Sequence, residues 1–152
     1  MISIQEEDFA IENLFEQVKK KAGNNAGAIS TFTGLVREKD QPGQAPLIAL
    51  SLEHYPGMTE KALEAIAIEA KKRFSLSSIV IVHRIGKLEV GERIVFVGTS
   101  SEHRESAFNG CQFIMDYLKN EAPFWKKEFR EDGSENWIEQ KQSDVDTIKN
   151  WQ

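Results

Sequence analysis

The order of the periodic segments constrains the fold most. Three strand-like runs, SIVIVHRIG, KLEVGE and RIVFVGTSS, follow one another over residues 78–101 with only short turns between them. A long helical pattern stands on either side, PGMTEKALEAIAIEAKKRF before and HRESAFNGCQFIMDYLK after. In the first, Met58, Ala62, Ile66, Ala70 and Phe74 recur at four-residue steps, and Lys71, Lys72 and Arg73 suit the negative end of the helix dipole. In the second, Ala107, Cys111, Ile114 and Leu118 share one side. Further strands are expected at AGAISTFTGLVR, at LIALSLEHY and on both sides of Asp132-Gly133, a hairpin signal. A helix is expected from Ile11 to Lys21, ended by AGNNAG, and a short strand at ISI; the tail SDVDTIKNWQ reads as a short helix or ordered coil. Helices interspersed among hairpins give an α+β class, with a largely antiparallel sheet and flanking helices.

No linker divides the chain, so residues 1–152 are expected to form a single domain with a sizeable core. The formal charge of −5 argues against a general nucleic-acid binder, which needs a basic surface to release counterions, although it leaves room for a local basic pocket. With one cysteine, Cys111, no internal disulfide can form, and the reducing cytoplasm is the expected compartment. Cys111 stands among Phe108, Phe113 and Ile114, so packing is expected rather than nucleophilic chemistry. The opening MISIQEEDF lacks a basic region followed by an apolar run, so no signal peptide is expected, and no apolar stretch approaches the ~20 residues of a membrane span.

His54, His83 and His103 lie far from one another and from Cys111, so no local zinc pattern exists and no metal is expected. TFTGLVR is no phosphate-binding glycine loop, and GTSSEH is not a nucleophile elbow. His103 and Arg104 fall at the start of a helix, where free N–H groups favour anions. They are either an anion site or solvated residues beside a cap from Ser100 or Ser101. Arg37 ends a strand beside the charged, Pro- and Gly-containing loop EKDQPGQAP, and is either solvated or a binding residue. The stretch MDYLKNEAPFWKKE is the most pointed. Met115 and Lys119 share a helix side, Pro123 turns the chain, and Lys126 follows. Two lysines facing one cavity with apolar walls would attract phosphate, and one partly withdrawn from water could move a proton. Lys119, at the end of an apolar helix, is expected to be the more desolvated. The bland alternative is a solvated helix end followed by a strand with alternating lysines.

Together, TFTGLVR, LEHYPGMTEKAL, VIVHRIGKLEVGE, IVFVGTSSEHR and FIMDYLKNEAPFWKKE resemble the large, catalytic subunit of molybdopterin synthase, the MoaE family. They occur in the family's order from about residue 26 to 139. The resemblance implies an α/β-hammerhead type fold. It implies a sulfurtransferase that converts cyclic pyranopterin monophosphate, precursor Z, into molybdopterin by installing a dithiolene, in molybdenum cofactor biosynthesis. The sulfurs would arrive as a thiocarboxylate on the C-terminal glycine of a small ubiquitin-like carrier subunit. Two large subunits would form a central homodimer, with a carrier at each outer end completing a heterotetramer. No cofactor and no metal would take part.

Residue by residue, the resemblance implies catalytic roles for Lys119 and Lys126. It implies substrate contacts from Leu35, Val36 and Arg37, from Lys127 and Glu128 after the second lysine, and from His103 and Arg104 of the neighbouring large subunit. Leu35 stands where some relatives carry Lys, so a backbone role is implied there. Lys141 stands in the carrier-contact region where a relative carries Arg, and the loop from Glu38 to Pro46 departs from the family. The rival reading is a non-catalytic module that keeps only the carrier-docking surface. The joint presence of Arg37, His103, Arg104, Lys119 and Lys126 favours the enzyme. A nucleotide-binding regulator lacks its glycine loop.

Overall fold

The computed structural model describes residues 1–38, 42–138 and 142–152. Among these residues eight strands form, β1 (Ile2–Gln5), β2 (Ala28–Leu35), β3 (Leu47–His54), β4 (Ser78–Arg84), β5 (Gly86–Glu89), β6 (Arg93–Ser101), β7 (Phe124–Arg130) and β8 (Glu135–Ile138). Four α-helices accompany them, α1 (Ile11–Ala22), α2 (Met58–Phe74), α3 (Arg104–Glu121) and α4 (Gln142–Ile148), with a short 3₁₀ turn at Lys149–Trp151. The class is α+β. The strands divide between two four-stranded sheets, in the orders β1-β4-β6-β2 and β5-β3-β7-β8. Every pairing is antiparallel except β1 with β4. The split into two sheets is not legible in the periodicity, because it rests on the pairing of β3 with β7, two strands distant in sequence.

The first sheet is covered on both faces, which is why β4 and β6 read as continuous apolar runs. Val80, Val82 and Phe96 turn towards Leu14 and Val18 of α1. Ile81, Val95 and Val97 turn to the other side, where α2 and α3 pack with Leu63, Ile66, Phe113, Ile114 and Leu118. Helix α3 lies close because residue 110 is glycine; a Cβ there would stand 2.7 Å from a methyl carbon of Leu76. The second sheet has one buried face, built by Leu47, Leu50, Leu52 and Leu88 with Val36. Its other face leaves Ile48, Trp125 and Trp137 exposed.

The buried stripe of α2 is Thr59, Leu63, Ile66 and Ala70, not the strict four-residue series. At 3.6 residues per turn, a four-residue step advances about 40° past a full turn, so such a series drifts off the buried face. Met58, at its start, is 62% exposed. Thr59 has a second task. Its hydroxyl accepts the N–H of Tyr55 at 2.9 Å and donates to the carbonyl of Pro123 at 3.0 Å. It thereby ties the β3–α2 junction to the turn between α3 and β7. Thr59 is fully buried, so Thr59→Val keeps the shape but strands both partners. That change should cost about 1–3 kcal/mol, measured by urea unfolding.

Candidate functional site

Pro123 decides the geometry of the site. It cannot continue α3 and it biases Ala122 towards extended backbone, which Ala122 adopts at φ −78° and ψ 126°. The chain reverses and becomes β7 at Phe124. Lys119 on the last turn of α3 and Lys126 on β7 therefore border one cavity of about 560 Å³. Met115 shares that wall with Lys119, as their four-residue spacing requires. Arg37, just beyond the end of β2, adds a third cation, and Leu35 lies beside it. Phe32, Leu118, Phe124 and Ile138 supply apolar wall, and Asn120, Asp144 and His83 supply polar groups. Among the described residues, no group of three or more His, Cys, Asp and Glu side chains could hold a metal ion.

Alternation along β7 sorts the rest. Residues 126, 128 and 130 share one face, and 125, 127 and 129 the other. Glu128 lines the cavity and is buried, with Oε1 accepting from Arg130 at 2.8 Å. Arg130 also donates to the carbonyl of Ala45. Lys127 faces outward, 3.2 Å from Glu135 and over the rings of Phe129 and Trp137. Trp125 is on that outer face too, packed on Tyr55 at 4.6 Å, so of the Phe124-Trp125 pair only Phe124 borders the cavity. Val36 puts its side chain in the core of the second sheet and spends its N–H on Glu92.

Two expectations need correction. Lys119 is exposed and Lys126 is half-buried, the reverse of the anticipated ranking. A strand crossing the cavity floor shelters its side chain more than a helix end does. Neither Ser100 nor Ser101 caps α3. Both lie in β6, with hydroxyls bonded to Ser78 and to the Ser75 carbonyl, and His103 is the N-cap residue without a side-chain cap bond. His103 and Arg104 are exposed. Fifteen residues separate Arg104 from Lys119 on α3, roughly 22 Å at the helical rise, so the pair does not reach this chain's own cavity. Lys141 and residues 39–41 lie outside the described residues.

The fold has clear counterparts. A family model described as MoaE protein matches residues 4–121. The chain belongs to the MoaE family. It is 44% identical to the molybdopterin synthase catalytic subunit of Vibrio cholerae, over 99% of this chain and 97% of that protein. It is 52% identical to the Escherichia coli protein of the same name, over 82% of this chain and 81% of that one. A solved structure, the molybdopterin biosynthesis MoaE protein from Burkholderia ambifaria, superposes with a TM-score of 0.83 at 43% identity, covering 99% of this chain and 97% of that one.

Cys111 is buried, with its thiol pushed up to about 11, chiefly by burial. It packs, as expected. His83 was not singled out as a site residue from the sequence, yet it lines the cavity of this MoaE chain. The available signal was its place in SIVIVHR, where residues of both parities are buried, so that a histidine there must be buried as well. Burial pushes its pKa down from 6.5 to about 4, and Lys126, Lys119 and His54 add to the effect against an opposing hydrogen bond to Arg84. The folded pKa is depressed, so the stability held by the neutral ring is fully present above pH 6.5. As pH falls from 6.5 to about 4, the unfolded chain takes up a proton that the folded ring refuses. The wild type should lose about 3 kcal/mol across this window relative to His83→Asn, read from urea unfolding of both proteins at pH 7.5 and pH 4.

Proposed function

We propose that this cavity binds cyclic pyranopterin monophosphate together with the C-terminal tail of a small ubiquitin-like carrier, and forms molybdopterin by taking one sulfur from the thiocarboxylate of each of two successive carriers, each of which leaves with a C-terminal carboxylate. The observation that carries the reading is the convergence of Arg37, Lys119 and Lys126 on one cavity with apolar walls. The name that the relatives carry, molybdopterin synthase catalytic subunit, supports the reaction and implies another subunit. A thiocarboxylate sulfur is already a good nucleophile and needs no triad. The protein must orient the two reactants, neutralise the phosphate and manage protons as the cyclic phosphate opens. Lys119 and Lys126 act at the reacting centre, and Arg37 clamps the phosphate. Glu128, held by Arg130, keeps the β7 wall in place. Leu35 and Val36 position Arg37 through the end of β2, and Lys127 works from the outer face of β7. The reaction belongs in the cytoplasm, and no metal or cofactor takes part.

His103 and Arg104 serve the neighbouring subunit's cavity in a homodimer, and one carrier joins each large subunit to make a heterotetramer. Phe108, four residues after Arg104 on the same helix side, is 62% exposed. An apolar side chain beside a cation is the kind of surface that a subunit contact would cover. If so, mixing Lys119→Ala and Arg104→Ala subunits should restore part of the lost activity, because one of the two composite sites is then intact. A protein that light scattering finds to be an active monomer would contradict the shared site.

Lys119→Ala should slow the chemical step roughly 100–1000-fold in single turnover while leaving carrier binding unchanged. Arg37→Ala should act mainly by weakening precursor binding, since a phosphate clamp serves ground state and transition state alike. Near-normal turnover of Lys119→Ala would return that residue to a solvated helix end.

A further inference from the structure

His83 stands where β4 is about to leave the first sheet. It is 5% exposed. Its ring lies flat on Phe124, with centroids 3.8 Å apart and planes 15° from parallel. Nδ1 lies 2.8 Å from the backbone carbonyl oxygen of Arg84. A carbonyl can only accept, so Nδ1 carries the hydrogen. A second proton would charge the ring in a dry place already near Lys119 and Lys126, so the imidazole is neutral and Nε2 holds a lone pair. Among the described residues, no buried side-chain nitrogen or oxygen lacks a partner, and the protein partner of this ring is on Nδ1. Nε2 is therefore the nitrogen left to the cavity that His83 lines.

This nitrogen does what the cations cannot. Arg37, Lys119 and Lys126 offer donors only and would hold any phosphate. They cannot distinguish a heterocycle that carries N–H donors of its own. A carboxylate would accept such a donor but would also repel the phosphate, and Glu128 is already engaged by Arg130. An uncharged imidazole accepts without that repulsion. Its stacking on Phe124 and its bond to Arg84 fix the direction of the lone pair before any ligand arrives, which lowers the ordering cost of binding.

We propose that His83 is a specificity-determining residue of the cavity, presenting Nε2 as a neutral hydrogen-bond acceptor to an N–H of the substrate's heterocyclic ring while the cations take the phosphate. This deepens the pterin phosphate reading and rests on it. Since the ring stays neutral, its contribution is the same at pH 6 and pH 8. The groups around it that titrate or carry charge are Lys119 on α3, Lys126 and Glu128 on β7, His54 on β3, Asp144 on α4, and Arg37 and Arg84. Dividing the affinity of the wild type by that of a His83 variant at each pH removes what these groups contribute in common.

The test is calorimetric titration of the full chain with cyclic pyranopterin monophosphate and, separately, with inorganic phosphate. His83→Asn keeps an amide donor near Nδ1 but puts nothing at Nε2, whereas His83→Gln can bring an amide oxygen there. His83→Asn should weaken precursor binding roughly tenfold, the value of one lost hydrogen bond, and leave phosphate binding unchanged. His83→Gln should recover most of the loss, and the ratio of wild-type to variant affinity should be the same at pH 6 and pH 8. Unchanged precursor binding in His83→Asn, or an equal loss for precursor and phosphate, would overturn the assignment. Wild-type protein that does not bind the precursor would overturn the substrate reading and this inference with it. Should the variants misfold, the ¹⁵N resonance of Nε2 in the wild type decides the matter. It should be that of an unprotonated nitrogen at pH 7 and should move on adding precursor but not phosphate. A resonance that stays put with bound precursor would overturn the assignment equally.

Discussion

The hydroxyl of Thr59 holds together the parts on which the cavity depends. It is fully buried, accepts from Tyr55 at the end of β3, and donates to Pro123 in the turn after α3. The β3–α2 junction and the turn between α3 and β7, 64 residues apart in sequence, are fixed at that point. The turn it secures sets the angle between α3 and β7, and hence the relation of Lys119 to Lys126. A second link lies alongside, where Phe124 on β7 stacks on His83 of β4 and joins the two sheets. Both links sit beside the chemistry rather than in the main core. The cavity's shape is thus maintained by polar and aromatic contacts that leave no room for slippage, while Ile81, Phe113, Ile114 and their neighbours supply most of the apolar burial.

The electrostatics of the site follow from which charges are already balanced. A chain with a net charge of −5 still gathers Arg37, Lys119 and Lys126 around one cavity. Of the carboxylates there, Glu128 is compensated by Arg130 at 2.8 Å. Breaking a buried pair of this kind leaves one charge stranded in a dry place and is typically far more costly than losing a surface pair such as Lys127 with Glu135. Strand alternation alone makes this division. Two neighbouring lysines on β7 therefore have different surroundings, one bordering the cavity and the other stacked on the outer face over Phe129 and Trp137.

Much of this was legible in the sequence because it is local. The strands in the 78–101 stretch, both long helices and the Asp132-Gly133 turn follow from periodicity and turn chemistry, and the Pro123 reversal from the geometry of proline. Lys119 and Lys126 could be placed across that reversal by spacing. What was not legible is long-range or depends on burial. The partition into two sheets requires the pairing of β3 with β7. The exposure of Lys119 depends on how far α3 projects past its packing, and Trp125 could be assigned to the outer face only once the inner face of β7 was known. The cap expected at Ser100 or Ser101 failed because β6 runs on through both residues. His83 looked like an isolated histidine until Phe124 and the two lysines were brought to it from the other side of the chain. The distance of His103 and Arg104 from this cavity separates what one subunit offers from what a second would add.

Sulfur transfer in the cavity, with reactants that fit it, is the property on which every assigned role depends. The direct measurement is mass spectrometry of a reaction containing the purified protein, cyclic pyranopterin monophosphate and a small carrier whose C-terminal thiocarboxylate is made with ³⁴S. The expected product is molybdopterin with both dithiolene sulfurs labelled. Recovery of unchanged precursor, with a carrier authenticated as thiocarboxylated and bound to the protein, would contradict the account and leave a carrier-docking module.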